Sequence, residues 1–310
     1  MVILEFENHS LFKNRIIIVL GIGLIGSSIS RLLLTFSPQN TYQYKIDWLN
    51  VNLLELQLSN YFQSKNYNDS FQIDWVWSAG KSGFYSTDAQ IKNEYNFFEL
   101  FIFYIKEKSF LHDKNTPFFF HFISSAGGLF EGQLNVTLDS IELPLRPYGR
   151  LKLMQERLIN SVFPDSSCIY RASTVFGISS FGHRAGLIST LVQNSFYCKM
   201  TNIQGDFDSK RDYVWVEDLS MFVVNLLIFK ELKLKQSLYY IISGKPTTIF
   251  EIVHLIQKIT HTKVLFKFDT SFSNSQPIVF SSNLKPKNLR STPLDTAVRI
   301  IYQNNLMSHK

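Results

Sequence analysis

Cysteine is scarce: the 310 residues hold two, Cys168 and Cys198, with no C-x-x-C and no Cys/His cluster. That scarcity argues against a structural zinc site and fits a reducing compartment. The seven histidines form no H-x-H or H-E-x-x-H arrangement, so no metal site is expected. Charge is sparse too, at 18% of residues, and the net +6 is scattered along the chain. Its densest cluster, LKPKNLR at 284–290, is short. A dedicated nucleic-acid binder carries a stripe or arm of Lys and Arg, which is missing here. A mild positive excess, with pI near 9.1, suits a small anionic ligand better than a polyanion.

A long uninterrupted apolar run is also lacking. RIIIVLGIGLIGSSISRLLLTF, 15–36, comes nearest, but Arg31 breaks it. The remaining stretch falls short of the roughly 18–20 residues that a membrane span needs. The leading MVILEFENHS holds two Glu and no Lys or Arg, unlike a secretory n-region. A soluble, cytoplasmic protein without a membrane partner is expected.

The chain does have a core to build: 45% of its residues are hydrophobic, and 28 Phe supply packing material. Residues 1–14 read as a short extension. RIIIVLG is β-branched and bounded by Gly, as a buried strand is, and LIGSSISRLLLTF has helical spacing until SPQN stops it. Further strands are expected at YQYKID (42–47), QIDWVWSAG (72–80), PFFFHFISSAGG (117–128), SSCIYRAS (166–173) and SLYYIISG (237–244). Helices are expected at 86–110, from Tyr148 to about Val162, at 214–230 and at 248–260, with a small mixed lobe in the final forty residues. Strands alternating with helices predict a parallel sheet with crossovers. The expected fold class is α/β, a Rossmann-type doubly wound parallel sheet with a smaller C-terminal mixed α/β lobe. The expected division gives 1–176 and 212–244 to the Rossmann domain, and 177–211 and 245–310 to the substrate lobe.

GIGLIG places Gly21, Gly23 and Gly26 between a predicted strand and a predicted helix. In that context the first Gly allows the tight turn and the second lets the backbone approach a pyrophosphate. The third allows close strand–helix packing, and the helix N-terminus faces the anion. The motif predicts an acid about twenty residues on for the adenosine ribose. Asp47, 26 residues after Gly21, is the candidate. No Arg follows it closely to receive a 2′-phosphate, which favours NAD, with NADP left open.

RPYGRLKLMQE, 146–156, sets Tyr148 and Lys152 one helical turn apart. A free phenol, with a pKa near 10, is a poor base at neutral pH. A nearby ammonium favours the phenolate and turns the pair into a proton-transfer device. Two other pairs, Tyr61…Lys65 and Tyr104…Lys108, have the same spacing. Context separates them: Tyr148 follows ISSAGG, which offers Ser124 and Ser125 where parallel sheets bind ligands, whereas Tyr104 lies before that strand and Tyr61 precedes even WVWSAG.

In order, these segments resemble the extended short-chain dehydrogenase/reductases, in particular their NAD-dependent nucleotide-sugar epimerase/dehydratase branch. IDWVWSAG resembles the family's D-x-V-x-H-x-A-A strand with Trp77 in place of His, which makes Asp74 structural. ISSAGG resembles the catalytic Ser segment, YGRLKLMQE resembles Y-G-x-S-K-x-x-x-E, and YRASTVFG resembles R-x-x-N-V-Y-G with Thr174 for Asn. RDYVWVEDLS resembles R-D-[FY]-[IV]-[HY]-V-x-D-[LV]-A, and YYIISGKPTTIFEIVHLI the segment that closes the motif series. The resemblance implies Ser125, Tyr148 and Lys152 as the catalytic set, with Ser125 rather than Ser124 holding the substrate oxygen. It implies NAD on Gly21, Gly23, Leu24, Ile25, Gly26, Asp47, Ala79, Gly80, Tyr148 and Lys152. It further implies a nucleotide-diphosphate sugar touching Ser125, Thr174 and Arg211, Asp212 and Asp218 as structural carboxylates, and a homodimer built on the 86–110 and Tyr148 helices. An Arg fork suits a diphosphate chemically.

Departures shape the functional expectation. The family's G-D-[IVL]-x-D adenine segment is not found in the short stretch between Asp47 and Phe71, and Trp215, like Trp77, stands where His is usual. The dehydratases' T-D-E is replaced by SSAGG, with no acid until Glu131. The expected activity is therefore nucleotide-sugar epimerisation by transient oxidation of a sugar hydroxyl, in surface-polysaccharide precursor synthesis. A keto-sugar reductase is the alternative, followed by a 4,6-dehydratase and by a non-catalytic dinucleotide-binding regulator.

Overall fold

The computed structural model describes residues 1–48, 50–64, 71–108, 117–178, 186–228, 238–269 and 276–307. Its elements begin with β1 (Val2–His9), β2 (Lys13–Leu20), α1 (Leu24–Leu34), β3 (Asn40–Gln43), α2 (Val51–Gln63), β4 (Gln72–Trp77) and α3 (Asp88–Lys108). Next come β5 (Phe118–Ser125), the short α4 (Ala126–Leu129), α5 (Pro147–Val162), β6 (Ser167–Ala172) and β7 (Thr174–Phe176). The rest are α6 (Leu187–Phe196), β8 (Thr201–Gln204), β9 (Lys210–Trp215), α7 (Val216–Ile228), β10 (Leu238–Ile241), β11 (Pro246–Thr248), α8 (Ile249–Thr260), β12 (Phe266–Asp269) and α9 (Leu294–Met307). Lys65 and the expected helix ends 109–110 and 229–230 lie outside the described residues, as do Ser237, 271–275 and 308–310.

The described residues build a seven-stranded sheet in the order β10-β6-β5-β4-β2-β1-β3. From β10 to β2 every pair is parallel. α1 and α7 cover one face over Ile17, Val19 and Val76. α2, α3 and α5 cover the other over Ile18, Trp75 and Phe120. With both faces covered, the strands need continuous apolar runs, which is what IIIVL and FFFHFI supply. This is the expected doubly wound α/β fold.

Several local expectations change. Residues 1–14 are not an extension: β1 lies antiparallel between β2 and β3, with Val2 opposite both Val19 and Gln43. Its Glu5 is fully buried, and the carboxylate accepts from the Tyr61 hydroxyl and from Asn40 Nδ2, 2.8 Å away. β3 ends at Gln43, because beyond it the chain turns toward α2. α2 itself fills the stretch that offered no recognisable segment, capped by the Asn50 side chain on the Leu53 amide. Among the described residues no strand lies between α2 and β4.

Besides the large sheet, the described residues form two small sheets, β11-β9-β7 and β12-β8, and α6, α8 and α9 pack around Ile188, Leu191, Ile252 and Val298. α8 starts with a capping box of Thr248 and Glu251. The expected 214–230 helix starts only at Val216, since Val214 and Trp215 complete β9. Among the described residues no helix is long and apolar enough to cross a membrane.

Candidate active site

Gly21 has φ +88°, and a Cβ there would stand 2.4 Å from the Ala79 backbone. A Cβ on Gly26 would fall 1.9 Å from the Gly21 carbonyl oxygen. Only glycine lets β2, α1 and the end of β4 meet this closely. Ser78 locks the junction, its hydroxyl donating to the Leu20 and Gly21 carbonyls at 2.9 and 2.8 Å. Among the described residues a Cβ on Gly23 would meet nothing within 4 Å, and Gly23 caps α1 without a side-chain bond. The loop thus leaves open backbone at an uncapped helix N-terminus, a donor set that fits a pyrophosphate.

The β5 terminus divides its two serines. Ser124 donates its hydroxyl to Glu156, which Arg171 pairs at 2.7 Å. Arg171 also donates to the Tyr240 hydroxyl at 2.8 Å and pairs with Glu142 at 2.6 Å. Ser125 instead caps α4, accepting from the Gly128 amide at 3.0 Å, which leaves its own proton free to donate. Both serines line a cavity of about 300 Å³ with Ile25, Ala79, Tyr148, Lys152 and Thr174.

Tyr148 reaches that cavity because α5 lands directly on α4. Pro147 opens the helix in its first turn. A Cβ on Gly149 would lie 2.0 Å from the Gly128 oxygen, so a side chain there would push the two helices apart. The Tyr148 ring packs beside Phe84 at 5.7 Å. Lys152 is buried, its ammonium donating to the Ile123 carbonyl at 3.4 Å and lying 4.9 Å from the Phe122 ring centroid. Burial pulls its pKa below the ordinary lysine value, while Glu94 and Glu156 push it back up. The other two tyrosines are committed elsewhere. Tyr61 bonds Glu5, and the Tyr104 hydroxyl sits 3.1 Å from Ser59 and donates to the Glu55 carbonyl at 3.2 Å.

A larger cavity of about 850 Å³ adjoins, sharing Gly80, Ser82, Phe84, Glu94 and Thr174 with the first. Arg211 on β9 lines it, with its guanidinium 5.6 Å from the Phe84 ring centroid; Arg146 sits 5.7 Å from the same ring. Burial lowers the Arg211 pKa. Arg146 pairs with Glu131 at 2.9 Å, which ties up the one acid that follows the serines closely. Asp212 accepts from Ser173, Ser243 and the Gly244 amide, and Asp218 accepts from Thr292, so both carboxylates hold structure together. Asp74 is buried beside Arg15 at 3.3 Å. Asp47 is exposed, four residues past the end of β3, and β1 separates β3 from β2.

Sequence reasoning missed several lining residues. Glu94 on α3 accepts from the Lys81 and Ser82 amides at 2.9 and 2.8 Å, and its Oε1 is buried without a hydrogen-bond partner among the described residues. Nothing in the local pattern of an aromatic helix marks it. Trp48, Phe84 and Arg146 are likewise identified only by the fold.

The sequence profile of the NAD dependent epimerase/dehydratase family matches residues 17–239. Among solved structures, UDP-glucose 4-epimerase from Thermus thermophilus, complexed with NAD, aligns with a TM-score of 0.74 at 13% identity, over 94% of this chain and 99% of that one. UDP-glucuronic acid 4-epimerase from Bacillus cereus, complexed with UDP-glucuronic acid and NAD, aligns with a TM-score of 0.69 at 20% identity, over 95% and 99%. RMD from Pseudomonas aeruginosa, complexed with NADPH, aligns with a TM-score of 0.70 at 16% identity, over 95% and 99%. At these identities the likeness carries the fold. No curated protein sequence matches the chain.

Proposed function

The chain belongs to the NAD dependent epimerase/dehydratase family, and from that premise we propose that it is a nucleotide-sugar epimerase. The observation that carries the reading is one cavity wall holding Ser125, Tyr148 and Lys152, next to a larger cavity that holds Arg211. Gly21, Gly23, Leu24, Ile25 and Gly26, with Ala79 and Gly80, would hold the dinucleotide, and Asp47 is the candidate for its adenosine ribose. Bound there, NAD would supply the acceptor for a hydride from the sugar carbon and the donor of a hydride to its opposite face. Ser125 donates to the sugar oxygen and orients it. Tyr148 takes the hydroxyl proton at its phenolic oxygen and gives it back later. Lys152 favours the phenolate by its charge. Thr174 and Arg211 face the substrate, the guanidinium matching a diphosphate.

No acid stands at the β5 end itself for the elimination of water, and Glu131, the first to follow the serines, is tied to Arg146. That supports epimerisation over dehydration. A reductase of keto-sugars is the second reading, favoured by the place of Asp47: with β1 intervening, its carboxylate is a weaker reason to exclude a 2′-phosphate. A homodimer through α3 and α5 fits their exposed Leu100, Phe103 and Met154. A cytoplasmic role in surface-polysaccharide precursor synthesis rests on the family alone.

The test is incubation with UDP-, GDP- and TDP-sugars and catalytic NAD, followed by chromatographic separation of epimers. The epimerase reading expects an equilibrium mixture of two epimers with no net NADH. Stoichiometric consumption of NADH or NADPH with a keto-sugar, and no epimer, would replace it with the reductase.

A further inference from the structure

We propose that the adenine of the dinucleotide is held by an indole pair, Trp48 stacking on the base and Trp77 donating to a ring nitrogen. The inference rests on the dinucleotide reading above and concerns the end of the ligand far from the chemistry.

The sheet order sets the problem. The loop bearing Gly23 leaves β2, and the Ser125, Tyr148 and Lys152 cluster lies to one side of it, above β5 and β6. A dinucleotide with its pyrophosphate on that loop and its reactive end at Tyr148 must send its other nucleotide the opposite way, toward β1 and β3. There the inserted β1 moves β3 one strand further out, a displacement of about 4.8 Å. Asp47 beyond β3 is exposed.

The next residue reverses that displacement. Trp48 turns inward and is half-buried, with its ring 5.9 Å from Trp77 at 81° and 5.4 Å from Phe97 at 57°. All three rings line the 850 Å³ cavity, beside Gly80, Lys81 and Asn93. The flat face of an indole is a sequence-tolerant platform for a base.

The independent observation lies in Trp77. Its side chain is 2% exposed, and its Nε1 is buried with no hydrogen-bond partner among the described residues. An indole N–H can only donate, and leaving one buried and unmet is costly. A purine ring carries acceptor nitrogens and can satisfy it. The site therefore reads a purine through stacking and one donor, without a carboxylate.

Isothermal titration and intrinsic tryptophan fluorescence test this without turnover, using NAD, AMP, UMP and nicotinamide mononucleotide on the purified protein, on Trp48→Ala and on Trp77→Phe. The expected result is that AMP and NAD quench the wild type. Trp48→Ala should bind both at least about tenfold more weakly, the usual scale of base stacking, with nicotinamide mononucleotide unchanged. Trp77→Phe keeps an aromatic ring there but loses the donor, and should weaken AMP with nicotinamide mononucleotide unchanged. Unchanged NAD affinity in a folded Trp48→Ala overturns the inference and leaves the dinucleotide reading standing. Quenching by UMP rather than AMP also overturns it, by giving the indoles to the substrate's base. Failure of NAD to bind the wild type overturns both.

Discussion

The Lys152 ammonium stands 6.0 Å from the centroid of the Tyr148 ring, one turn further along α5. In the proposed mechanism that charge favours the phenolate. Replacing Tyr148 with Phe removes the proposed proton acceptor and keeps the ring. Turnover is expected to fall by about 10²–10⁴-fold, the range that positioned acid–base groups contribute, while NAD affinity stays within a factor of a few. Steady-state kinetics together with a binding titration checks it, and unchanged turnover would remove Tyr148 from the mechanism.

Ser124 and Ser125 are adjacent in sequence, and the proposal gives them opposite roles. Ser125→Ala should lower turnover by a factor of ten or more, since it removes the donor to the sugar oxygen. Ser124→Ala removes a buried bond to the Glu156 carboxylate, which is worth about 1.5–3 kcal/mol for a charged partner. Arg171 still holds Glu156, so the loss should sit at the low end, as a lower melting temperature with near-normal kinetics. The reverse pattern, a stable but inactive Ser124→Ala, would exchange the two assignments.

What was legible in the chain was its punctuation. Gly21, Gly23 and Gly26 between an apolar run and a helical one, and Tyr148 behind a small-residue strand end, fix local geometry through sterics and appear at their observed places. β1 was not legible. Its Glu5 and Glu7 look like surface residues, and Glu5 is buried because Tyr61 and Asn40, far along the chain, satisfy its carboxylate. Trp48 and Glu94 were hidden for the same reason. Their neighbours, Trp77 and the Lys81–Ser82 amides, come from other elements that no local period reveals.

Arg211 lies against Phe84 in the large cavity, and burial lowers its pKa. Arg211→Met keeps the apolar stem and removes the fork. The Michaelis constant for the nucleotide sugar is expected to rise by about tenfold or more, since a charge-assisted contact is lost. NAD affinity should not change. Loss of NAD binding with an unaltered sugar constant would place the guanidinium on the cofactor side instead.

Lys152 gives a pH-dependent prediction. Burial lowers its folded pKa, whereas in the unfolded chain it titrates near 10.5. Below the folded value both states carry the proton, and the folded protein bears the full cost of a buried charge. Between the folded and unfolded values the unfolded chain binds more protons, so stability rises with pH, and the cost is gone above 10.5. Lys152→Met fills the same space without the charge. It should melt a few degrees higher than the wild type at neutral pH, where about 1 kcal/mol corresponds to roughly 2–4 °C. The gap should close as pH approaches 10.5, and turnover should be lost throughout. Thermal melts across that range decide it. A variant that melts lower at neutral pH would mean that the pairing of Lys152 with Glu94 and Glu156 outweighs its desolvation.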